Sequence, residues 1–419
     1  MTILIENVLH QNQVTNIYLD KNRISYIGND HKQADLVISG QNKVVLPTLV
    51  NGHTHAAMTL LRGYADDMYL QPWLTQKIWP LEAKLTESDV YWGAKLACLE
   101  MIKSGTTLFN DMYWHFAGTA RAVEEMGIRA VLSFPLIDFG NAQKREEQRQ
   151  TVESLYFSAR QLSPRIQVAI APHAIYTASP EAIRWAHQFA MQHNLMLHIH
   201  LSETEQEVKD SLRDYQLRPV EHLESLGVLG PHLVAAHCVW LNDHELDILQ
   251  NRRVNLAHNP VANLKLAVGE MFRYPEIHQR GIKVCIGTDG CASNNNLDMF
   301  EQLKFAALLQ KWKANDPTVL PCHEVWDLAT SQAHQIFGVD AGTIGVGKLA
   351  DLMLIDLRQP QLTPRHDIIS NLVYAAGGGV VDTVICDGKI LMQNHQVPGE
   401  EEIIAQSDAV ARKLAGHIS

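Results

Sequence analysis

The sequence predicts an α/β fold: a (β/α)8 TIM barrel with a small β-sandwich domain built from both ends of the chain. Three observations predict it. Short apolar runs alternate with helix-length segments through the middle of the chain, as in βα units around a parallel sheet. Both ends instead carry short strands separated by turns. Finally, His, Glu and Asp recur where the central apolar runs stop, the position at which a barrel builds its active site.

Residues 1–46 form the N-terminal part of the small domain. Runs at 3–5, 16–19, 23–27 and 44–46 are separated by polar or Gly-containing segments. Residues 47–340 form the barrel. Its expected strands lie at 44–46, 106–110, 130–133, 167–171, 195–200, 233–237, 254–257 and 283–287, so the run 44–46 is counted at the junction of both domains. Helical patterns at 90–103, 180–193 and 205–211 fall between them. Residues 341–419 return to the small domain through strand-like runs at 351–355, 380–386 and 389–391, then end in a terminal helix. Asp387-Gly388 is a hairpin turn signal.

A chain of 419 residues can hold one large barrel and an accessory domain. Hydrophobic residues make up 46% and charged residues 19%, as in a globular enzyme rather than a disordered protein. The net charge of −11, without a basic block, argues against nucleic acid as a partner. No signal-peptide pattern and no long apolar run is present, so no membrane association and a cytoplasmic location are expected. The scattered Cys98, Cys238, Cys285, Cys291, Cys322 and Cys386 include no Cys-x-x-Cys pair and are expected as small hydrophobes.

Placement makes some of the 21 histidines informative. In Asn51-Gly52-His53-Thr54-His55, an extended backbone turns His53 and His55 to one side, where both imidazoles can reach one ion. Gly52 permits close backbone approach. His198 and His200 share a face of the fifth expected strand; His200, nearer its end, is the ligand candidate, and His198 is expected in a hydrogen-bonded core role. Asp289 follows the eighth strand and can bind the ion or share a water proton. Three imidazoles and a carboxylate suit one divalent ion, Zn²⁺ or Fe²⁺, with room for water. Glu203 is placed to take a proton from that water, while it also reads as a helix N-terminal carboxylate. His237, ending the sixth strand, can hydrogen-bond the attacking water or polarise the bond under attack.

The stretches NGHTHAAMTLLRGYADD (51–67), IWPLEAKLT (78–86), EMIKSGTTLFNDMY (100–113), APHAIYTAS (171–179), HIHLSETEQE (198–207), AAHCVWL (235–241), AHNPVANLKLA (257–267), IGTDGCASNNNLDMF (286–300) and GTIGVGKLADLMLIDL (342–357) carry a resemblance across nearly the whole chain. They resemble the amidohydrolase superfamily, and more narrowly its 5′-methylthioadenosine/S-adenosylhomocysteine deaminase branch. The resemblance implies that His53, His55, His200 and Asp289 bind the metal and that Glu203 and His237 are the catalytic pair. It further implies that Glu82 binds the ribose hydroxyls and that His173 contacts substrate, as Glu203 also does. Residues 167–172 lack the Lys that two-metal branches carry there, so one ion is expected, zinc before iron.

The implied reaction is hydrolytic deamination of an adenine nucleoside: 5′-methylthioadenosine, adenosine or S-adenosylhomocysteine. Some relatives carry an Arg after the third strand for a charged substrate tail. Phe134 stands nearest that position here, which favours a neutral 5′ group, with Arg145 or Arg149 as candidate substitutes or as solvated loop residues. The same scaffold could instead serve guanine, cytosine, a triazine or aminodeoxyfutalosine, or act as a non-catalytic scaffold. A homodimer or homotetramer is expected from the resemblance and the apolar content.

Overall fold

The computed structural model describes residues 1–416, so the last three residues of the expected 341–419 piece lie outside the described residues. Five strands come first: β1 (Thr2–His10), β2 (Gln13–Asp20), β3 (Arg23–Gly28), β4 (Leu36–Ser39) and β5 (Lys43–Pro47). Eight more follow: β6 (Leu49–Thr54), β7 (Thr106–Met112), β8 (Arg129–Leu136), β9 (Ile166–Pro172), β10 (Met196–Leu201), β11 (Leu233–His237), β12 (Asn255–His258) and β13 (Val284–Ile286). The last three are β14 (Leu352–Asp356), β15 (Val381–Cys386) and β16 (Lys389–Met392), before a terminal helix, Glu400–Leu414.

Strands from both chain ends join one mixed sheet, in the order β16-β15-β14-β5-β1-β2-β3, with β4 paired to β1. Alternation sets its inner face: Ile3 and Ile5, Ile17 and Leu19, and Leu352 and Leu354 all enter one core with Ile24 and Val45. The central pair β5 and β14 is buried on its other face too. Val44, Met353 and Ile355 there join the large core shared with the barrel.

That double burial corrects one expectation. The run 44–46 belongs wholly to the mixed sheet, where β5 runs antiparallel to β14, and the first barrel strand is β6. A strand buried on both faces reads as a continuous apolar run, so its periodicity does not reveal which sheet it joins. His53 therefore lies inside a strand rather than in the loop after one.

β6 to β13 are neighbours in sequence order, parallel throughout, with helices such as Glu87–Lys103 and Pro180–His193 between them. The two edge strands, β6 and β13, meet at their C-terminal ends. Asp289 N–H donates to His53 C=O at 3.0 Å, and the Asn51 amide both accepts from Thr288 N–H (3.0 Å) and donates to Thr288 Oγ1 (2.7 Å). A Cβ on Gly52 would fall 2.4 Å from Cys285 Sγ, so this seam needs glycine there. At the opposite end, buried Arg129 joins barrel to sheet, with Nε 2.6 Å from Asp351 and Nη2 2.8 Å from Asp387.

Cys98, Cys238, Cys285, Cys291 and Cys386 are buried and unbridged, as small hydrophobes should be, while Cys322 is half-buried. Among the described residues, no helix is long and apolar enough to cross a membrane.

Candidate active site

The barrel brings His53, His55 and Asp289 within 4.8 Å of one another and sets His200 beside them. Asp289 Oδ1 lies 3.3 Å from His53 Nε2 and 3.2 Å from His55 Nε2, and His200 Nε2 lies 3.2 Å from His55 Nε2. The far side of each ring is already engaged. His55 Nδ1 bonds Met112 C=O (2.7 Å), His200 Nδ1 bonds His173 C=O (2.7 Å), and His53 Nδ1 bonds His198 Nε2 (2.8 Å). A carbonyl can only accept, so His55 and His200 carry their protons on Nδ1 and turn Nε2 lone pairs inward. Two lone pairs at that separation repel, and buried His53 Nε2 has no hydrogen-bond partner. Three inward nitrogens and a carboxylate oxygen fit one divalent cation. His198 takes the expected supporting role behind His53.

Asp289 is buried beside His53 and His55. Ser293 Oγ donates to its second oxygen at 2.6 Å. A ring nitrogen of His237 lies within 4.8 Å of those of His53 and His200. His237 Nδ1 donates to Asn263 Oδ1 (2.8 Å), which leaves Nε2 as its acceptor. Glu203 Oε1 stands 3.8 Å from His237, and burial raises its pKa against the pull of that imidazole. A carboxylate of raised basicity suits proton uptake from water. Ser202, His237, Cys238 and Asp289 all adopt positive φ (50°, 71°, 50° and 63°). Such backbone is costly for non-glycine residues and clusters where geometry serves function.

His55, Glu82, His173, His200, Glu203, His237 and Asp289 line one cavity, and His53 is fully buried beside it. Glu82 sits on the short helix Trp79–Glu82, far from its expected partners in sequence. Its carboxylate is buried, which raises its pKa, and Oε1 has no hydrogen-bond partner. His173 gives its Nδ1 proton to Thr177 Oγ1 (2.9 Å), whose own hydrogen goes to Ala174 C=O (3.2 Å). Burial lowers the His173 pKa to about 3, so a neutral ring offers Nε2 to a ligand.

The structure adds residues the sequence reading missed. Tyr113, just past β7, is buried beside Glu82, and Asn263 fixes the ring of His237. Tyr113 occupies a strand exit, the signal that identified His237 and Asp289. Asn263 has no such signal.

At the far end, a second cavity of about 730 Å³ adjoins the first and shares Trp79, Glu82 and Trp114 with it. Phe134 and Phe139 line it, packed edge-on against Trp114 (5.6 Å) and Trp79 (6.2 Å). Neither arginine candidate lines either cavity. Arg145 bonds Asp138 (3.0 Å) and Ser179 (3.2 Å), while Arg149 pairs with Glu146 (3.2 Å) and lies over Trp185. Lys144 is the lysine on that wall.

The comparisons with known proteins agree with this geometry. The Amidohydrolase family model matches residues 44–391. A 5'-deoxyadenosine deaminase from Methanoregula boonei is 48% identical over 420 residues, covering 99% of this chain and 95% of the relative. The 5-methylthioadenosine/S-adenosylhomocysteine deaminase 1 of Archaeoglobus fulgidus is 46% identical, covering 96% and 95%. Among solved structures, an adenosine deaminase from Xanthomonas campestris with bound zinc superposes with a TM-score of 0.93 at 33% identity, covering 99% of this chain and 98% of that one. A triazine hydrolase from Arthrobacter aurescens shares the fold at 22% identity, with a TM-score of 0.88 and coverage of 98% and 99%. With the family model running from β5 to β16 and relatives aligned along nearly its full length, this chain belongs to the amidohydrolase family.

Proposed function

We propose that the chain hydrolytically deaminates an adenine nucleoside, releasing ammonia and the inosine analogue, with preference for a neutral 5′ group. One observation carries this reading: inward-facing His55, His200 and Asp289, with His53 buried beside them, share a cavity with a buried, basic Glu203 and an unpartnered Glu82 carboxylate oxygen. The deaminase names of relatives at 46% and 48% identity support it.

His53, His55, His200 and Asp289 would hold a single zinc ion, which would supply the Lewis acidity that makes a water nucleophilic at neutral pH; Fe²⁺ also suits this donor set. Glu203 takes the water proton and delivers it to ring N1 as the water oxygen bonds to C6. His237, held by Asn263 through its Nδ1 proton, accepts a hydrogen bond from the attacking water at Nε2, and Asp289 passes the second water proton to the amino nitrogen as the C6–N bond breaks and ammonia leaves. Glu82 accepts from the ribose hydroxyls, and neutral His173 accepts a hydrogen bond from the substrate. Aromatic walls at Trp79, Trp114, Phe134 and Phe139 favour an apolar 5′ end.

The test is ammonia release from 5′-deoxyadenosine, 5′-methylthioadenosine, adenosine, S-adenosylhomocysteine, guanine and cytosine. The neutral nucleosides are expected to have the highest kcat/KM, with guanine and cytosine inert. Glu82→Ala should lower kcat/KM on nucleosides by about 10- to 100-fold, the value of hydrogen bonds to a charged group. Faster turnover of a free base, or an indifferent Glu82→Ala enzyme, excludes the nucleoside reading.

A further inference from the structure

Glu207 lies one helical turn beyond Glu203, and the chemistry above makes no use of it. Its side chain is buried, at 4% exposure, near the start of the helix Glu205–Tyr215. An acidic residue in a first turn ordinarily stays near the surface and interacts with its own helix's N–H groups. Glu207 does neither. Thr204 caps this helix, accepting from Glu207 N–H at 3.2 Å. The Glu207 carboxylate turns back instead, and its two oxygens accept Ser202 N–H (2.9 Å) and Glu203 N–H (2.8 Å).

Those two N–H groups belong to the loop joining His200 to Glu203. Ser202 holds φ at +50°, which disfavours this shape in isolation. On the loop's other side, Ser202 C=O accepts from Val239 N–H (3.0 Å) and Trp240 N–H (2.8 Å), just past His237. The loop is therefore clasped between the β11 exit and one carboxylate. Burial pushes the Glu207 pKa up to about 8 while the two N–H donors work against it. Holding a carboxylate there is costly and returns nothing to the helix cap.

We propose that Glu207 is a positioning residue for Glu203: by clasping the adjacent Ser202 and Glu203 N–H groups, it fixes where the Glu203 carboxylate stands over the reacting water. The proposal rests on Glu203 being the base. Glu207→Gln keeps the size but turns one acceptor into an NH₂ that faces an N–H. Glu207→Asp keeps the carboxyl group but is one methylene too short to reach both groups.

Both variants are expected to lose kcat by about 10- to 100-fold, the scale of a misplacement near 1 Å. KM and bound metal should stay unchanged. In a Glu203→Gln background, Glu207→Gln should cause no further loss, because its effect passes through the missing carboxylate. If the Gln variant is insoluble, the Asp variant carries the same readouts. Wild-type kcat in a soluble variant, a joint loss of kcat, KM and metal, or a full additional loss in the Glu203→Gln background each overturns the proposal. Wild-type turnover by Glu203→Gln alone overturns the base assignment itself.

Discussion

Glu203→Gln protein is expected to keep its metal and to lose about 10³- to 10⁴-fold in turnover, the upper part of the range for general acid–base catalysis. The amide matches the carboxylate in size, so packing around residue 203 should survive. It cannot take a proton from water at a useful pKa. Glu203 lines the site, and its carboxylate lies 3.8 Å from His237 rather than against the imidazoles nearest Asp289. Loss of the carboxylate should thus spare metal content. Turnover of 5′-methylthioadenosine with parallel metal analysis checks this, and a variant within ten-fold of wild type rules out the role.

Stripping the metal with a chelator should reduce activity by about 10³-fold or more, since charge stabilisation worth several kcal/mol is withdrawn. Restoring zinc should restore it. The folded chain without its ion leaves the lone pairs of His55 and His200 opposed at 3.2 Å beside a buried carboxylate. Thermal stability should therefore fall as well, by about 4 kcal/mol if the ion was present at a thousand times its Kd. Full activity and an unchanged melting temperature after verified metal removal would sink the four-donor assignment.

Much of this was legible in the sequence, for physical reasons that also mark the limits. Buried parallel strands such as β9 and β10 are apolar runs of strand length, and a strand exit in a barrel faces the site. His53 and His55 declared themselves through spacing, and His198 through its deeper position. Residues 44–46 misled because Val44 and Val45 serve two cores on opposite faces. Asn263 and Glu207 stayed silent because each acts through a tertiary contact. A helical Asn and a first-turn Glu are ordinary in their own segments, and only the fold puts them against His237 and the Ser202 loop. Arg145 looked available in sequence, yet Asp138 and Ser179 already hold it.

The pairing of β5 with β14 has a consequence for biosynthesis. Met353 is made roughly 300 residues after its partner Leu46, on the order of 15–60 s at ordinary elongation rates. Until then the nascent β5 carries an open strand edge and the apolar side chains of Val44, Val45 and Leu46, a combination prone to adventitious pairing. Ribosome-bound chains halted near residue 340 should be cut readily by protease within residues 1–47, whereas the finished protein should resist. Equal protection in both would mean that β1–β5 is stable before its C-terminal partners exist. Otherwise, β14 closes the edge that β5 leaves open during synthesis.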